Sequence, residues 1–376
     1  MKEGWKYKTF AECVVKIPKQ KQVKSKDYKS AGLYPIVSQE KEIISGYWDD
    51  KSYLFTHDKP VIIFGDHTKE IKYIDFDFVV GADGTQILSP QDDIDAKFFY
   101  YTLLSTPIRA LGYARHFKLL KEKCFYIPCL DEQRLIASRL DAAFSHIDEL
   151  KANAEKQLSE ARALFQKSLA KAMESKRGWE KRTLDNICNL NCGFAFDSKG
   201  YTNKEDDILL VCGDNIIHCG FRWETIKRWP KEDYEGLNRF ALKENDIVLA
   251  MDRPWVKSGL KIAKISKNEL PSLLIQRTAC IRSGKNTYPA FLYYALQTEA
   301  FIKHLVTQQT GVGVPHISGR QILSFDISIP PLSEQQRIVE RLDALSAHVR
   351  ELEENQKKII SECDALKQAL LRKVFE

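Results

Sequence analysis

Two long stretches of the chain follow an alternating spacing of four and three positions that is apolar except at Gln157 and Gln356, with charged residues between. One stretch runs from Ile136 to Leu164 and the other from Ile338 to Leu366. This heptad spacing is typical of a helix that buries one narrow stripe against another helix. The predicted helix-pairing residues are Ile136, Leu140, Ile147, Leu150 and Leu164 in the first stretch, and Ile338, Leu342, Leu345, Val349, Leu352, Ile359 and Leu366 in the second.

The two stretches belong to an internal duplication. Residues 127–142 read IPCLDEQRLIASRLDA and residues 329–344 read IPPLSEQQRIVERLDA, with ten of sixteen positions identical at an offset of 202. A weaker echo, Gly-Trp at 4–5 and at 178–179, marks the start of each unit. The chain is therefore two copies of one plan, a variable block followed by a long helix.

Each variable block mixes strand-like runs with one helical stretch. Short β-branched or aromatic runs bounded by Gly, Asp or Pro occur at 34–37, 60–64, 76–80, 207–211, 246–250 and 259–265. The aromatic stretches 97–104 and 290–297 have helical spacing, and we expect them to lie in the core. The predicted fold class is α+β, with a pseudo-twofold internal repeat. Two α+β domains, 1–128 and 178–330, are separated by two long helices within 129–177 and 331–376 that form an antiparallel coiled coil.

Composition adds limits to this picture. Of the 376 residues 44% are hydrophobic and 29% charged, and no apolar run approaches the ~20 residues of a membrane span. The nine cysteines are scattered, as in a reducing cytosol, so we expect a cytoplasmic protein with no membrane partner. Cys188, Cys192, His218 and Cys219 match no standard zinc spacing, so the predicted metal is none. The net charge of +6 permits a nucleic-acid partner without requiring one.

Catalytic signatures are missing from the sequence. It has no phosphate-binding GxxxxGK[ST] loop, no GxGxxG after a strand, no HExxH and no GxSxG, nor a base-methyltransferase motif. Asp66, Glu70 and Lys72 faintly resemble a nuclease cluster that would need Mg²⁺. The sequence favours a protein that is not an enzyme and has no catalytic residues.

Basic, turn-rich segments are the candidate nucleic-acid contacts. Lysine and arginine would position phosphates, while arginine, glutamine and asparagine can read base edges. The candidate DNA-binding residues are Lys19, Lys21, Lys24, Lys26, Arg115, His116 and Lys118 in the first block, and Arg253, Lys257, Gln308, Gln309, Thr310, His316 and Arg320 in the second. For any one of them, the alternative is an ordinary solvated loop.

The chain resembles the specificity subunit of type I restriction–modification systems. The resemblance rests on two blocks that open with Gly-Trp, close in Ile-Pro-x-Leu-x-Glu-Gln and run into a long helix. Its most specific part is IPPLSEQQRIVERLDAL; the first copy has Cys129 where proline is usual. It implies two target recognition domains that read one half each of a bipartite, asymmetric sequence in double-stranded DNA. The helices would set the gap between the halves.

The resemblance also implies partners. Two methyltransferase (modification) subunits, which would carry S-adenosylmethionine, would dock on this chain, and nuclease–translocase (restriction) subunits would complete the complex. The chain itself would bind no cofactor. Three alternatives stay open: the same fold serving a solitary or type II-like methyltransferase, a coiled-coil scaffold that binds only proteins, and a chain that carries its own nuclease.

Overall fold

A computed structural model describes residues 4–109, 112, 115–256, 259–308 and 315–375. It divides into two compact units, one formed by Met1–Lys156 with Gln356–Glu376 and the other by Gln157–Asn355. The boundary between the units crosses both long helices, so each unit contains one half of each helix.

The first half of the chain alternates short strands with three short helices and ends in a long helix. Its strands are β1 (Lys6–Thr9), β2 (Val14–Val15), β3 (Gln22–Val23), β4 (Tyr34–Val37), β5 (Gly46–Trp48), β6 (Leu54–Phe55), β7 (Val61–Gly65), β8 (Ile71–Ile74), β9 (Phe78–Gly81), β10 (Thr85–Pro90) and β11 (Cys124–Ile127). Its helices are α1 (Phe10–Cys13), α2 (Ala96–Ser105), α3 (Phe117–Lys121) and α4 (Leu130–Ala172).

The second half follows the same plan. Its strands are β12 (Glu180–Thr183), β13 (Cys188–Cys192), β14 (Ile208–Val211), β15 (Ile216–Ile217), β16 (Gly220–Phe221), β17 (Arg228–Trp229), β18 (Ile247–Ala250), β19 (Trp255–Val256), β20 (Gly259–Leu260), β21 (Ile262–Lys264), β22 (Ser272–Leu274), β23 (Thr278–Ser283) and β24 (Asp326–Ile329). Its helices are α5 (Pro289–Ala295), α6 (Glu299–Gln308), α7 (Gly319–Leu323) and α8 (Leu332–Phe375).

The sheets of the two units correspond. In unit 1, β1 pairs antiparallel with β11, and a four-stranded sheet has the order β2-β10-β7-β8. In unit 2, β12 pairs antiparallel with β24, and the equivalent sheet has the order β13-β23-β18-β21. The predicted aromatic helices are α2 and α5, and Phe98, Phe99 and Phe291 are fully buried. The α+β prediction, the internal repeat and the two long helices are confirmed.

Each long helix is joined to its domain by the repeated Glu-Gln pair. In unit 1 the indole Nε1 of Trp5 donates to Glu132 at 3.1 Å. The fully buried Gln133 accepts from the Asp95 amide at 2.7 Å and donates to two backbone carbonyls, those of Asp93 and Pro128. The hydrogen bonds explain why both residues recur, since a buried amide side chain must be fully paired.

The same contacts recur in unit 2. Trp179 Nε1 donates to Glu334 at 3.2 Å, and buried Gln335 accepts from the Tyr288 amide at 2.7 Å while donating to the carbonyls of Asn286 and Pro330. A tyrosine adds a further shared contact in each unit. The hydroxyl of Tyr101 donates to Asp141, and the hydroxyl of Tyr294 donates to Asp343.

Within each unit the halves of α4 and α8 run antiparallel. In unit 1, Asp148 pairs with Lys367 and Lys151 pairs with Asp364, so three residues forward on α4 correspond to three residues back on α8. In unit 2, Arg162 Nε lies 2.7 Å from Glu353 Oε1. Further along α4, Leu169 lies in one buried cluster with Leu342 of the early part of α8. The antiparallel pairing predicted from the heptads is therefore present in both units.

The predicted helix-pairing residues are buried or half-buried in the early part of each helix, but the predicted phase of the seam is wrong further along. Leu140, Ile147, Ile338 and Leu342 are buried, and Ile136, Leu345 and Val349 are half-buried, as predicted. Five other predicted pairing residues are exposed: Leu150 (56%), Leu164 (57%), Leu352 (37%), Ile359 (38%) and Leu366 (48%). The positions one residue further along, Lys151, Phe165, Glu353, Ile360 and Lys367, are half-buried instead. Lysine and glutamate can serve there because their aliphatic stems cover the seam while their charged ends pair across it.

Candidate nucleic-acid interface

The first block presents a lysine-rich segment between β2 and β4. Lys19, Lys21, Lys24 and Lys26 are all exposed. The ammonium of Lys21 donates to Ser52 Oγ at 3.2 Å and lies 5.3 Å from the centre of the Tyr53 ring. These four predicted residues therefore share one exposed segment with little opposing charge, an arrangement suited to phosphate contact.

The loop before α3 corrects one predicted contact. Arg115 and Lys118 are exposed, but His116 is only 1% exposed. Its backbone amide donates to the Asp66 carbonyl at 2.8 Å, and its ring Nδ1 lies 3.0 Å from the same oxygen. His116 therefore holds the loop to the end of β7, and its prediction as a DNA-contacting side chain is wrong. A histidine that packs under a loop has no sequence pattern to distinguish it from one that faces solvent.

The residues that resembled a nuclease cluster have structural partners. Asp66 is buried, and its Oδ1 accepts from the Phe117 amide at 2.8 Å, at the start of α3. Buried Lys72 donates to the carbonyls of Ser38, at 2.9 Å, and Glu42. Burial lowers the pKa of the Lys72 ammonium. These contacts account for Asp66 and Lys72 as supports of neighbouring loops.

Three of the conceivable zinc ligands, Cys188, His218 and Cys219, have other hydrogen-bond partners, and Cys219 Sγ also lies 3.4 Å from His218 Nε2. Buried Cys188 donates to the Leu184 carbonyl, and its pKa is raised to about 12 by burial. His218 Nδ1 lies 3.1 Å from the Leu260 carbonyl, and Cys219 lies 3.0 Å from Gln297 Oε1. Among the residues that the structure describes, no three His, Cys, Asp or Glu side chains form a group that could hold a metal ion.

Unit 2 brings two predicted segments together beyond the end of β18, one around Arg253 and one around His316. Asp252 and His316 form an isolated bridge, the amide of Arg253 donates to the Pro315 carbonyl, and the amide of Ile317 donates to the Met251 carbonyl. Arg253 and Arg320 are exposed, and His316 is partly exposed. Lys257, Gln309 and Thr310 lie outside the described residues, as does the side chain of Gln308, the last residue of α6.

Arg277 joins this group without having been predicted. It lies in the turn between β22 and β23, and its Nη1 is 2.9 Å from Asp252 Oδ2. His316 Nδ1 is 2.5 Å from the other oxygen of the same carboxylate. One aspartate thus holds two cationic or polar side chains at the surface. The sequence offered no signal for Arg277, because residues 252, 277 and 316 meet only in the folded chain.

The sequence is similar to known DNA specificity proteins. A family model described as the type I restriction modification DNA specificity domain matches residues 2–160 and again 176–362. Over 176 residues the chain is 37% identical to the type I restriction enzyme EcoAI specificity subunit of Escherichia coli, a match that covers 46% of this chain. The match spans 29% of that relative's length, less than a third.

Two further similarities extend over more of the chain. The type I restriction enzyme EcoR124I/EcoR124II specificity subunit of Escherichia coli is 26% identical over 343 residues, covering 85% of this chain and 81% of that protein. A solved chain from work on complex assembly and conformational transition of the type I R-M system has a TM-score of 0.72 at 17% identity, covering 100% of this chain and 98% of its own. At that identity the structural match shows a shared fold. No helix in the described part of the chain is long and apolar enough to cross a membrane.

Proposed function

The chain belongs to the family of type I restriction–modification DNA specificity domains, as its sequence resemblance predicted, and on that basis we propose that it selects the DNA sequence on which a type I system acts. Each of its two domains reads one half of a bipartite, asymmetric target in double-stranded DNA, and the paired helices set the gap between the halves. The chain acts in the cytoplasm as a non-catalytic subunit.

One observation carries this proposal: the two units repeat their frame and differ in their surface loops. Gln133 and Gln335 make equivalent hydrogen bonds at the start of each long helix. By contrast, the surface next to β7 offers Arg115, whereas the surface next to β18 offers Arg277 and His316. A constant support that carries two different polar surfaces fits two independent readers of sequence.

The exposed leucines support a second part of the proposal, the docking of partners on the helices. Unit 1 exposes Leu150, Ile359 and Leu366, and unit 2 exposes Leu164 and Leu352. On α8 the residues Leu352, Ile359 and Leu366 recur every seven positions. On α4, Leu150 and Leu164 are fourteen positions apart, so the exposed residues of each helix lie on one face beside the seam. An apolar face of this kind marks a protein interaction surface.

We assign this surface to two methyltransferase subunits that carry S-adenosylmethionine, with nuclease–translocase subunits joining the same complex. The chemistry then belongs to the partners: a methyltransferase must extract its target adenine from the duplex into its own pocket. This chain supplies sequence recognition, consistent with the loop-supporting roles of Asp66 and Lys72.

Exchange of one domain tests the proposal. Residues 4–127 are replaced by the equivalent block of a relative, and the variant is expressed with its modification subunits in a host without other methyltransferases. Sequencing of methylated bases across the genome should show one half of the motif changed, and the other half and the gap unchanged. The wild-type chain is the control. A change in both halves, or in neither, would contradict independent reading.

A further inference from the structure

The side chains around Asp252 form an ordered cluster at the surface of unit 2. The carboxylate is 24% exposed, while the side chains of Arg277 and His316 that it holds are 71% and 42% exposed. The Asp252 carboxylate therefore lies closer to the protein interior, and the side chains of Arg277 and His316 lie on its solvent side. Because an ionised carboxylate only accepts hydrogen bonds, the proton at this contact is on His316 Nδ1, and Nε2 is directed away from it.

The backbone at Arg277 is held in a conformation that favours glycine. Its φ is 64°, and the φ of nearby Arg253 is 45°. In unit 1 the corresponding position is Gly84, with φ 78°. The correspondence follows from the backbone: the Asp66 amide donates to the Gly84 carbonyl, and the Met251 amide donates to the Arg277 carbonyl.

An arginine at this position has a cost that glycine avoids. A left-handed conformation is disfavoured for a residue with a Cβ atom, because the Cβ atom comes too close to the following carbonyl oxygen. Non-glycine residues held in such conformations cluster at functional sites, where the side chain is needed. Two arginines in left-handed conformations, one after β18 and one between β22 and β23 where Asp252 anchors it, indicate that this surface serves recognition.

We propose that Asp252 is a positioning residue that orients Arg277 to read a guanine, with His316 beside it, in the half-site bound by unit 2. The inference rests on the proposed function and names the reading residue within it. The ion pair with Asp252 uses one of the five N–H donors of the guanidinium. The remaining donors can bind guanine O6 and N7 together, the commonest specific arginine contact. An arginine fixed in advance loses less conformational entropy on binding, which sharpens discrimination.

Single substitutions in the full chain, expressed with its modification subunits, test this inference. Arg277→Ala should remove the requirement for guanine at one position of one half-site. Asp252→Asn should weaken it at the same position. A good bidentate contact corresponds to about tenfold or greater preference for the correct base, which Arg277→Ala should abolish and Asp252→Asn reduce. Methylation frequencies at sites that differ in that base give the measurement. Lys181→Ala, which changes an exposed lysine on β12, is the matched control and should leave the motif intact.

The outcomes separate this inference from the proposed function. If Arg277→Ala lowers methylation equally at all sites with an unchanged motif, Arg277 contacts phosphate, and the inference is overturned. If the wild-type chain directs no methylation at all, the proposed function itself fails. Arg277→Gly repeats the test without the left-handed cost, so loss of reading in that variant cannot arise from a misfolded turn.

Discussion

Units 1 and 2 hold their long helices with the same contacts but present different surfaces at the end of a central strand. Gln133 and Gln335 are both fully buried, and each bonds one amide and two carbonyls. At the strand ends, the His116 amide donates to the Asp66 carbonyl, and the Ile317 amide donates to the Met251 carbonyl. The backbone is therefore shared there too.

The side chains on that shared backbone diverge. Gly84 in unit 1 corresponds to Arg277 in unit 2, and buried His116 corresponds to buried Ile317. Immediately before them, Arg115 and His316 both reach the surface. Fixed hydrogen bonds on the frame side leave the surface side chains of each unit to vary without changing the fold. This separation fits the proposed reading of two different half-sites by one architecture.

The largest predicted effect lies in the shared frame. Gln133→Ala removes the partner of a backbone amide and two carbonyls, and unpaired buried groups cost about 2–3 kcal/mol in the free energy of unfolding. Gln335→Ala should cost a similar amount in unit 2. Calorimetric unfolding of the full chain measures both. Arg134→Ala and Gln336→Ala, at neighbouring exposed positions, are the controls and should be nearly neutral. Unequal losses at the two glutamines would show that the frames are not equivalent.

The next largest effect on stability concerns the turn that holds Gly84 in unit 1 and Arg277 in unit 2. Gly84→Ala places a Cβ atom in a left-handed conformation, 2.9 Å from Gln39 Oε1 and His67 Cδ2, and should destabilise the chain by about 1–2 kcal/mol. Arg277→Gly should be neutral to about 1 kcal/mol stabilising, because glycine relieves the left-handed cost but gains entropy in the unfolded chain. Chemical denaturation measures both.

Gly220→Ala is the control for that turn. No atom lies within 4 Å of its added Cβ, and the change should be nearly neutral. If Arg277→Gly destabilises the chain as much as Gly84→Ala, the arginine itself supports the turn. The left-handed conformation of Arg277 would then no longer support a role for this arginine in reading DNA.

The frame could be predicted from sequence because it repeats. The IPxL-x-EQ segments, the aromatic helices and most strands have local patterns that survive in both copies. The seam phase could not be predicted, because Leu150 and Leu164 satisfy the heptad as well as Lys151 and Phe165 do. A two-helix interface is narrow, and the stripe that faces inward includes Lys151, Glu353 and Lys367, whose aliphatic stems cover the seam while their charged ends pair across it.

Among the candidate DNA contacts, too, some features could be predicted from the sequence and others could not. Exposed lysines in a basic segment follow from composition, so Lys19, Lys21, Lys24 and Lys26 could be predicted to reach solvent. The burial of His116 depends on Asp66, fifty residues away in sequence. The Asp252 cluster depends on three separate segments. A contact between distant segments leaves no trace in a single sequence.

The smallest predicted effect concerns the ion pairs of the helix seam. Lys151 pairs with Asp364 in unit 1, and Arg162 pairs with Glu353 in unit 2. The repeat offset of 202 makes Lys151 equivalent to Glu353 and Arg162 equivalent to Asp364. The two ion pairs therefore occupy equivalent positions of the repeat, but the position that is a cation in one pair is an anion in the other. Both cations lie on α4 and both anions on α8. The charges therefore attract between unlike helices and would repel between two like helices in the same register.

Asp364→Asn should lower the melting temperature slightly at neutral pH, and the loss should depend on pH. The Lys151 ammonium holds the pKa of Asp364 below its ordinary value of 3.8. A carboxyl whose pKa is lower in the folded state than in the unfolded state stabilises the fold above its unfolded pKa, and this stabilisation is lost as the pH falls through the folded pKa. The difference between wild type and Asp364→Asn should therefore be present at pH 7, begin to shrink as the pH falls towards 3.8, and vanish only once the pH is below the lowered folded-state pKa; it should also shrink in high salt. The double exchange Lys151→Asp with Asp364→Lys restores the pair with the polarity found in unit 2, and should recover most of the loss. A double variant no more stable than Lys151→Asp alone would mean that the polarity of this pair, and not only its presence, is fixed by its surroundings.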